Sequence, residues 1–184
     1  EDIDPDISAG AHEIARSLRH INSGTREELA VDYAHTFLSA GTTKHEKRAC
    51  PYESVFTSPN GLLMQDARDD AYRIMLGEHI APNESLKTPE DHIAFEFEFM
   101  ADLCANIAAA FEAGEAAETM RLLDVQKLFY ETHIANWIDA FCDAIEGCCR
   151  TSFYRGVAQM TRGFVHLDGA FIEEGRAAYA SLPA

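Results

Sequence analysis

Residues 88–100 read TPEDHIAFEFEFM, and whether this stretch is a strand or a helix decides the fold class. Its alternating phenylalanine and glutamate residues are typical of a half-buried strand. Its first residues are typical of a helix start instead, because Thr88 suits the N-cap, Pro89 suits the first helical position and Asp91 has capping-box spacing. We predict one helix that ends near Gly114. Its apolar residues recur at steps of four and three, which predicts a buried face made of Ile93, Phe97, Met100, Cys104, Ile107 and Phe111.

The same spacing recurs downstream and indicates an all-α fold. No proline occurs between residues 90 and 182, as is typical of long helices. One further helix is predicted to begin near Glu115 and to bend before His133. The last helix is predicted from the face Phe153, Val157, Met160, Phe164, Leu167 and Phe171. A neighbouring row of small residues predicts that another helix approaches it closely, namely Gly156, Gly163 and Ala170. Upstream helices are predicted from Thr25, over residues 62–76 and around residues 8–21.

The bulk composition limits the function classes. The chain has 184 residues and a formal net charge of −16, which disfavours nucleic acid and favours a cationic partner. The longest stretch without a charged residue, residues 54–65, is too short and too polar to span a bilayer. Residues 1–10 do not resemble a secretory signal, so we expect a cytoplasmic protein without stable membrane insertion. The five cysteines include no C-x-x-C pair, which favours reduced thiols.

Asp91, His92 and Glu96 are candidates for chemistry, and the residues alone leave several interpretations open. His92 and Glu96 are four residues apart, so a helix would place them side by side as two ligands of a metal. The sequence contains no Glu-x-x-His pair, as di-iron bundles need, and no hydrolase, P-loop or Rossmann motif. A structural interpretation makes Asp91 a helix cap and His92 a solvent-facing histidine. The remaining interpretation is recognition of arginines in a peptide.

His133 and Trp137 lie one turn apart in FYETHIANWIDAF, residues 129–141. The favoured interpretation makes the only tryptophan a core anchor with His133 hydrogen-bonded beside it. The alternative is direct contact of both side chains with a ligand.

Three motifs, taken in order, resemble those of the TorD/DmsD family of cytoplasmic chaperones, also called redox enzyme maturation proteins. The first motif is DYAHTF at residues 32–37, followed by PYESVFTSPNGLLMQ at residues 51–65. The second is TPEDHIAFEFEFMADL at residues 88–103, and the third is the stretch of residues 129–141 quoted above. Two departures are that Thr36 stands where the family usually has leucine, and that Ala-Cys-Pro replaces a double proline before the tyrosine of PYES.

The resemblance implies a helical bundle of two subdomains joined by a hinge. The subdomains would be residues 1–77, with a long loop at 41–60, and residues 92–184, with the hinge at residues 78–91. The resemblance also implies a role without catalysis or a cofactor. Such proteins bind the twin-arginine leader, and often the body, of a molybdenum-cofactor enzyme, and delay its export until the cofactor is inserted. Some members exchange domains between subunits, so we expect a monomer or a domain-swapped dimer.

The resemblance further implies a peptide-binding site. Asp91 and His92 match the Asp-His pair that the family uses for the leader, and Tyr52, Glu53 and Ser54 match its loop motif. We predict no catalytic and no metal-ligating residue, and a site made of Asp91, His92, Glu90, Glu96, Tyr52, Glu53, Ser54, His133 and Trp137. The alternatives are a helical metalloenzyme that uses His92 and Glu96, and a non-catalytic subunit of a larger assembly.

Overall fold

The computed structural model describes residues 4–38, 49–80 and 87–182, which contain helices and no strand. The all-α prediction is therefore confirmed. None of the helices in this part of the chain is long and apolar enough to cross a bilayer. The elements are α1 (Pro5–Leu18), α2 (Thr25–Phe37), α3 (Glu53–Thr57), α4 (Asp66–Gly77), α5 (Ile93–Glu112), α6 (Ala116–Phe129), a π-helical turn (Tyr130–Ile134), α7 (Ile138–Cys148) and α8 (Ser152–Ala180).

The helix predicted from the opening stretch exists as α5, but its predicted start is wrong. The helix begins at Ile93, and His92 is its N-cap, with Nδ1 accepting a hydrogen bond of 3.1 Å from the Ala94 N–H. Thr88 therefore does not cap α5. The predicted capping box fails because the carboxylate of Asp91 binds a different helix, α3, as described below.

The predicted buried face of α5 is also largely wrong. Of its six members only Met100 is buried, while Cys104 and Phe111 are exposed. Apolar residues cover most sides of this helix, so the spacing allows more than one stripe. The predicted end is confirmed, because Gly114 follows the helix with a positive φ of 73°. The residues that α5 buries are Glu96, Phe99, Met100, Leu103 and Ala110.

The three upstream helices are confirmed with shifted ends. The α2 helix begins at Thr25 as predicted. The α1 helix begins earlier than predicted, because the Asp4 carboxylate accepts two N–H groups of its first turn. The α4 helix begins at Asp66 instead of residue 62, because Met64 has a φ of 60°, in the left-handed region where a right-handed helix cannot continue.

The helix that was predicted to begin near Glu115 and bend before His133 instead ends in the π-helical turn, and α7 begins separately at Ile138. The Ala135 N–H donates to the carbonyl of Tyr130 at 2.8 Å, an i→i+5 bond that widens the helix by one residue. Such single turns are common at functional sites. Here the turn carries His133, which the sequence had singled out.

The chain forms two compact units, each built from two stretches. The first unit contains residues 1–51 and 138–167, and the second contains residues 52–137 and 168–184. These bounds differ from the predicted subdomains, whose division and hinge stay predictions. Residues 81–86 of the predicted hinge and residues 39–48, which include part of the predicted loop, lie outside the described residues.

In the first unit, α1 and α8 approach closely at glycines of α8. A Cβ atom added to Gly156 would lie 2.7 Å from the carbonyl oxygen of Gly10. A Cβ atom added to Gly163 would lie 2.7 Å from Oδ1 of Asp4. The close approach predicted from this row of small residues is therefore confirmed for these two positions.

The first unit also contains a fully bonded buried carboxylate, that of Asp32 on α2. It accepts hydrogen bonds from the Arg150 N–H at 2.9 Å, the Thr151 N–H at 2.8 Å and the Thr151 hydroxyl at 2.6 Å. The Thr36 hydroxyl donates a fourth at 3.3 Å. Because α8 begins at Ser152, Asp32 satisfies backbone N–H groups at the start of that helix.

Candidate functional site

The site begins at α3, a five-residue helix inside the segment that the sequence predicted to be a loop. Its first turn is held by Asp91, whose carboxylate accepts the Ser54 N–H at 2.9 Å and whose carbonyl accepts the Glu53 N–H at 3.0 Å. Tyr52 and His92, the residues next to these, form an antiparallel bridge. Asp91 is thus a cap, but of α3 and not of α5. The first two sequence motifs meet at this point.

Glu53 connects α3 to the third motif. Its carboxylate lies 2.8 Å from Nδ1 of His133 and accepts a hydrogen bond of 2.7 Å from Nδ2 of Asn136. Both partners belong to the segment that contains the π-helical turn and the residues directly after it. The Nε2 edge of the His133 ring lies on the side away from Glu53, 3.4 Å from Oδ2 of Asp70.

Glu96 of α5 and Trp137 form the innermost part of the site. The Trp137 indole N–H lies 2.7 Å from the carbonyl oxygen of His133 and 3.3 Å from Oε2 of Glu96. Trp137 is buried, and the Phe56 ring packs against it with 5.4 Å between centroids. The interpretation of Trp137 as a core anchor with His133 bonded beside it is therefore confirmed.

Glu53, Asp91 and Glu96 form a buried carboxylate cluster, which is no more than 1% exposed at each residue. Burial raises the pKa of Glu96 well above its ordinary value, the charges of Glu53 and Asp91 raise it further, and the bond from Trp137 opposes this only in part. Within the described ranges, Oε1 of Glu96, Oδ1 of Asp91 and Nε2 of His133 are buried without a hydrogen-bond partner. Such groups are costly in a folded protein and are a reason to look for a function.

Tyr52 and His92 form the half-buried edge of the site, with 4.9 Å between their ring centroids. Burial lowers the pKa of His92, although the charge of Asp91 opposes this, so its ring is neutral at pH 7. Since Nδ1 accepts the Ala94 N–H, the proton lies on Nε2. His92 is thus the half-buried N-cap of α5, and not the solvent-facing first-turn histidine of the structural interpretation.

Glu90 lies at the same edge and is paired with Arg68 of α4. The Arg68 guanidinium also binds Asp69 at 2.8 Å and lies over the Tyr72 ring, 5.2 Å from its centroid. Glu90 is therefore neutralised within the second unit, and an arginine from outside would compete with Arg68 for it.

The structure brings the nine predicted site residues into one part of the second unit, but it buries most of them. Tyr52, Glu90 and His92 are partly accessible. The predicted direct contact with a peptide stays a prediction for all nine, and the other six are enclosed within the second unit. The enclosed residues are Glu53, Ser54, Asp91, Glu96, His133 and Trp137.

Sequence reasoning missed two parts of this region. Asn136 binds Glu53 and lies three residues after His133, inside a quoted motif, so its spacing was an available signal. The acidic residues Asp66, Asp69 and Asp70 share one face of α4, which the i, i+3, i+4 spacing would have indicated. The described residues include no group of three or more histidine, cysteine, aspartate or glutamate side chains that could hold a metal ion.

Comparisons with known proteins place the chain in a family. The family described as nitrate reductase delta subunit matches residues 1–143. The chaperone protein TorD of Vibrio atlanticus is 30% identical over 145 residues, which are 79% of this chain and 64% of that protein. The TorD protein of Photobacterium profundum gives the same identity and the same two shares. The TorD protein of Ferrimonas balearica is 26% identical over 172 residues, 92% of this chain and 72% of that protein.

The chain spans less than two thirds of the length of the first two of these relatives. No solved structure matches it. The family match nevertheless covers well over half of the chain and includes all three motifs. The chain therefore belongs to the nitrate reductase delta subunit family, the family of the TorD chaperones.

Proposed function

We propose that the chain is a chaperone for the maturation of a molybdoenzyme, which binds the twin-arginine leader and the body of the apo-enzyme in the cytoplasm. Two findings support this function: the family match, and the names of relatives that are called chaperones. The structural observation that carries it is the convergence of three separate motifs on one site around α3. In this proposal the protein acts by binding, without catalysis and without a cofactor of its own.

The leader offers two guanidinium groups followed by apolar residues. Guanidinium groups form charge-assisted, often bidentate hydrogen bonds with carboxylates. In this proposal Tyr52, His92 and Glu90 contact the leader directly, because these three are accessible. The buried carboxylate cluster acts as a set of positioning residues that hold α3 and the His92 segment, and its negative charge attracts the arginines.

The test is calorimetric titration of the protein with a synthetic twin-arginine leader. We expect saturable binding that weakens as salt rises, because the attraction involves charges near the surface. His92→Asn is the informative variant, since asparagine is a good N-cap and keeps α5 intact while removing the imidazole. We expect about tenfold weaker binding, a loss of about 1.4 kcal/mol.

His12→Asn on α1 is the matched control, because His12 is exposed and belongs to the first unit. It should bind the leader like the wild type. The proposed function is contradicted if the wild type shows no binding to twin-arginine leaders at micromolar concentrations. The site assignment alone is contradicted if both histidine variants bind with wild-type affinity.

Binding to the body of the enzyme and the oligomeric state are parts of the same proposal. Light scattering after size exclusion should give a monomer or a domain-swapped dimer. Titration with an apo-enzyme that lacks its leader should give a second, leader-independent affinity. Loss of all binding in the absence of the leader would restrict the proposal to leader recognition.

A further inference from the structure

The face of α4 that lies over α3 carries three carboxylates. Asp66, Asp69 and Asp70 share one side of the helix and line a groove of about 550 Å³. Glu53 and His133 also line this groove, so it borders directly on the candidate site. The lining holds four carboxylates, of which Asp70 is paired with Arg73 and Asp69 with Arg68, while Glu53 lies against His133. The groove is therefore negatively charged.

A buried ring nitrogen without a hydrogen-bond partner among the described residues faces the same groove. Nδ1 of His133 lies 2.8 Å from Oε2 of Glu53, so the opposite edge of the ring points away from Glu53. On that edge, Nε2 lies 3.4 Å from Oδ2 of Asp70 and, among the described residues, has no hydrogen-bond partner. A buried polar atom without a hydrogen-bond partner, beside a carboxylate, is a position at which a polar group of a ligand can bind.

An exposed apolar ridge precedes α4. Leu62, Leu63 and Met64 are 54%, 45% and 57% exposed, although large apolar side chains usually avoid such exposure in a row. The ridge is rigidly held, since the Leu62 N–H donates to the Ser58 hydroxyl at 3.0 Å and the Gln65 amide donates to the Leu63 carbonyl at 2.8 Å. Its last residue, Met64, adopts the left-handed conformation described above. The backbone therefore fixes an apolar surface next to an acidic one.

We infer that this groove and the ridge beside it form the arginine-binding part of the leader site, with the guanidinium groups against Asp66 and Asp70, beside the imidazole of His133. This inference rests on the proposed function and adds Asp66 and Asp70, which lie outside the three motifs. A guanidinium supplies several N–H donors in one plane, so it bonds to two carboxylates together. The apolar residues of the leader would then pack on Leu62, Leu63 and Met64. Lysine, with a compact ammonium group, would satisfy fewer of these acceptors.

The experiment compares two leaders and three proteins by calorimetric titration. One leader has the arginine pair, and the other has lysines in its place. The proteins are the wild type, the double variant Asp66→Asn/Asp70→Asn, and the double variant Glu98→Gln/Asp102→Asn. The second variant is the matched control, because it also neutralises two acidic residues four positions apart on a helix of the second unit. Glu98 and Asp102 are both exposed.

We expect the wild type to prefer the arginine leader over the lysine leader by about tenfold. The control variant should keep this preference, and the groove variant should lose most of it. Both variants remove surface charges that contribute little to folding, which a thermal unfolding curve verifies.

Two failures can be told apart. If the wild type binds neither leader, the proposed function fails. If the wild type binds and the groove variant keeps the full preference for arginine, the groove assignment is overturned while the proposed function stands. An independent arm replaces Leu63 with serine, which should weaken binding of both leaders about threefold without changing their ratio. An unchanged affinity there would remove the ridge from the site.

Discussion

Two buried carboxylates, one in each compact unit, differ in how fully they are bonded. Asp32 in the first unit is 1% exposed and accepts the four hydrogen bonds described above. Glu96 in the second unit is fully buried and accepts one, of 3.3 Å, from Trp137. Its second oxygen has no partner among the described residues. The same chemical group is thus buried to the same extent in two very different surroundings.

The pKa values of the two groups shift in opposite directions. Burial alone would raise the pKa of Asp32, but the hydrogen bonds from Thr151, Arg150 and Thr36 outweigh it and lower the pKa. Burial raises the pKa of Glu96, and neighbouring carboxylates add to this shift. Ionisation of Asp32 therefore favours the folded state, whereas ionisation of Glu96 opposes it.

This difference separates a folding role from a functional one. The position of Asp32 is explained by the start of α8, whose backbone N–H groups it satisfies. Nothing of that kind explains Glu96, because a leucine or methionine of similar size would cost less to bury. Residues that lower stability are often retained where function needs them, so the comparison supports a functional role for the buried carboxylate cluster.

The largest expected effect is that of Asp32→Ala. The substitution leaves two partly buried N–H groups and two hydroxyls without this acceptor, and we expect a loss of about 3 kcal/mol in the free energy of unfolding. Urea unfolding followed by circular dichroism measures it. Asp102→Ala is the control, since Asp102 is exposed on α5, and should change stability by less than about 0.5 kcal/mol. A loss for Asp32→Ala as small as that of the control would show that water replaces the carboxylate.

Changing each of the two carboxylates to its amide should change the free energy of unfolding in opposite directions. Glu96→Gln should raise the free energy of unfolding at pH 7 by about 1 kcal/mol, because an amide is buried at lower cost than a carboxylate. Asp32→Asn, the same chemical change, should lower it by about 2 kcal/mol. In addition, Glu96→Gln should weaken leader binding in calorimetry. A stabilised variant with unchanged binding would show that Glu96 is retained for a reason other than leader recognition.

Helix content was predictable from the sequence, but helix ends were less so. The steps of four and three in α5 and α8 indicated their existence because a helix repeats every 3.6 residues. The start of α5 was missed because Asp91 caps a helix that lies 37 residues upstream, and local capping rules cannot detect such a partner. The short helix α3 was missed because five residues are too few to show a period.

Burial was the least predictable property. The sequence offered Glu96 as a ligand-contacting neighbour of His92, whereas the structure buries it in the core against Trp137. Asp32 drew no attention as a buried group, since its donors Arg150 and Thr151 lie 118 and 119 residues away. Pairings of this kind depend on tertiary packing and leave no local pattern.

The candidate site was predictable only through the resemblance. Spacing alone offered a metal ligand, a solvent-facing side chain or a peptide contact at His92, and none of these interpretations linked it to Tyr52 or Trp137. The family motifs identified the residues that converge, but not that most of them would be enclosed. The acidic face of α4, by contrast, could be predicted from the spacing of its aspartates. Its importance for binding depends on the buried Nε2 of His133, which has no hydrogen-bond partner among the described residues.

The pH dependence of stability should sharpen the contrast between Asp32 and Glu96. The ordinary pKa of a glutamate is 4.5 and that of Glu96 is raised, so its destabilising effect is absent below about pH 4 and grows as the pH rises above 4.5. The stability gain of Glu96→Gln should therefore shrink towards zero at low pH. The ordinary pKa of an aspartate is 3.8 and that of Asp32 is lowered, so the stabilisation by Asp32 is present at neutral pH and is lost as the pH falls through the lowered pKa.

Urea unfolding of the wild type and both amide variants between about pH 2 and pH 8 tests this expectation. The gain in free energy of unfolding of Glu96→Gln over the wild type should increase with pH over the lower part of the range. The loss in Asp32→Asn relative to the wild type should stay constant at neutral pH and become smaller only near the acidic end. If the stability differences of both variants changed with pH in the same way, the two carboxylates would titrate alike, and Asp32 and Glu96 would not differ in the way proposed here.

The smallest effect is expected when one of the four donors to Asp32 is removed. Thr36→Val keeps the shape of the side chain and deletes the 3.3 Å bond, the longest of the four, so we expect a loss of about 1 kcal/mol. Thr119→Val in the second unit is the matched control, because Thr119 is equally buried and its hydroxyl only bonds back to the Glu115 carbonyl of its own helix. Such bonds contribute little, so the control should change stability by less than about 0.5 kcal/mol. If both variants lost the same amount in urea unfolding, the loss would reflect burial of the threonine position itself, and the fourth bond of Asp32 would not contribute to the difference between the two carboxylates.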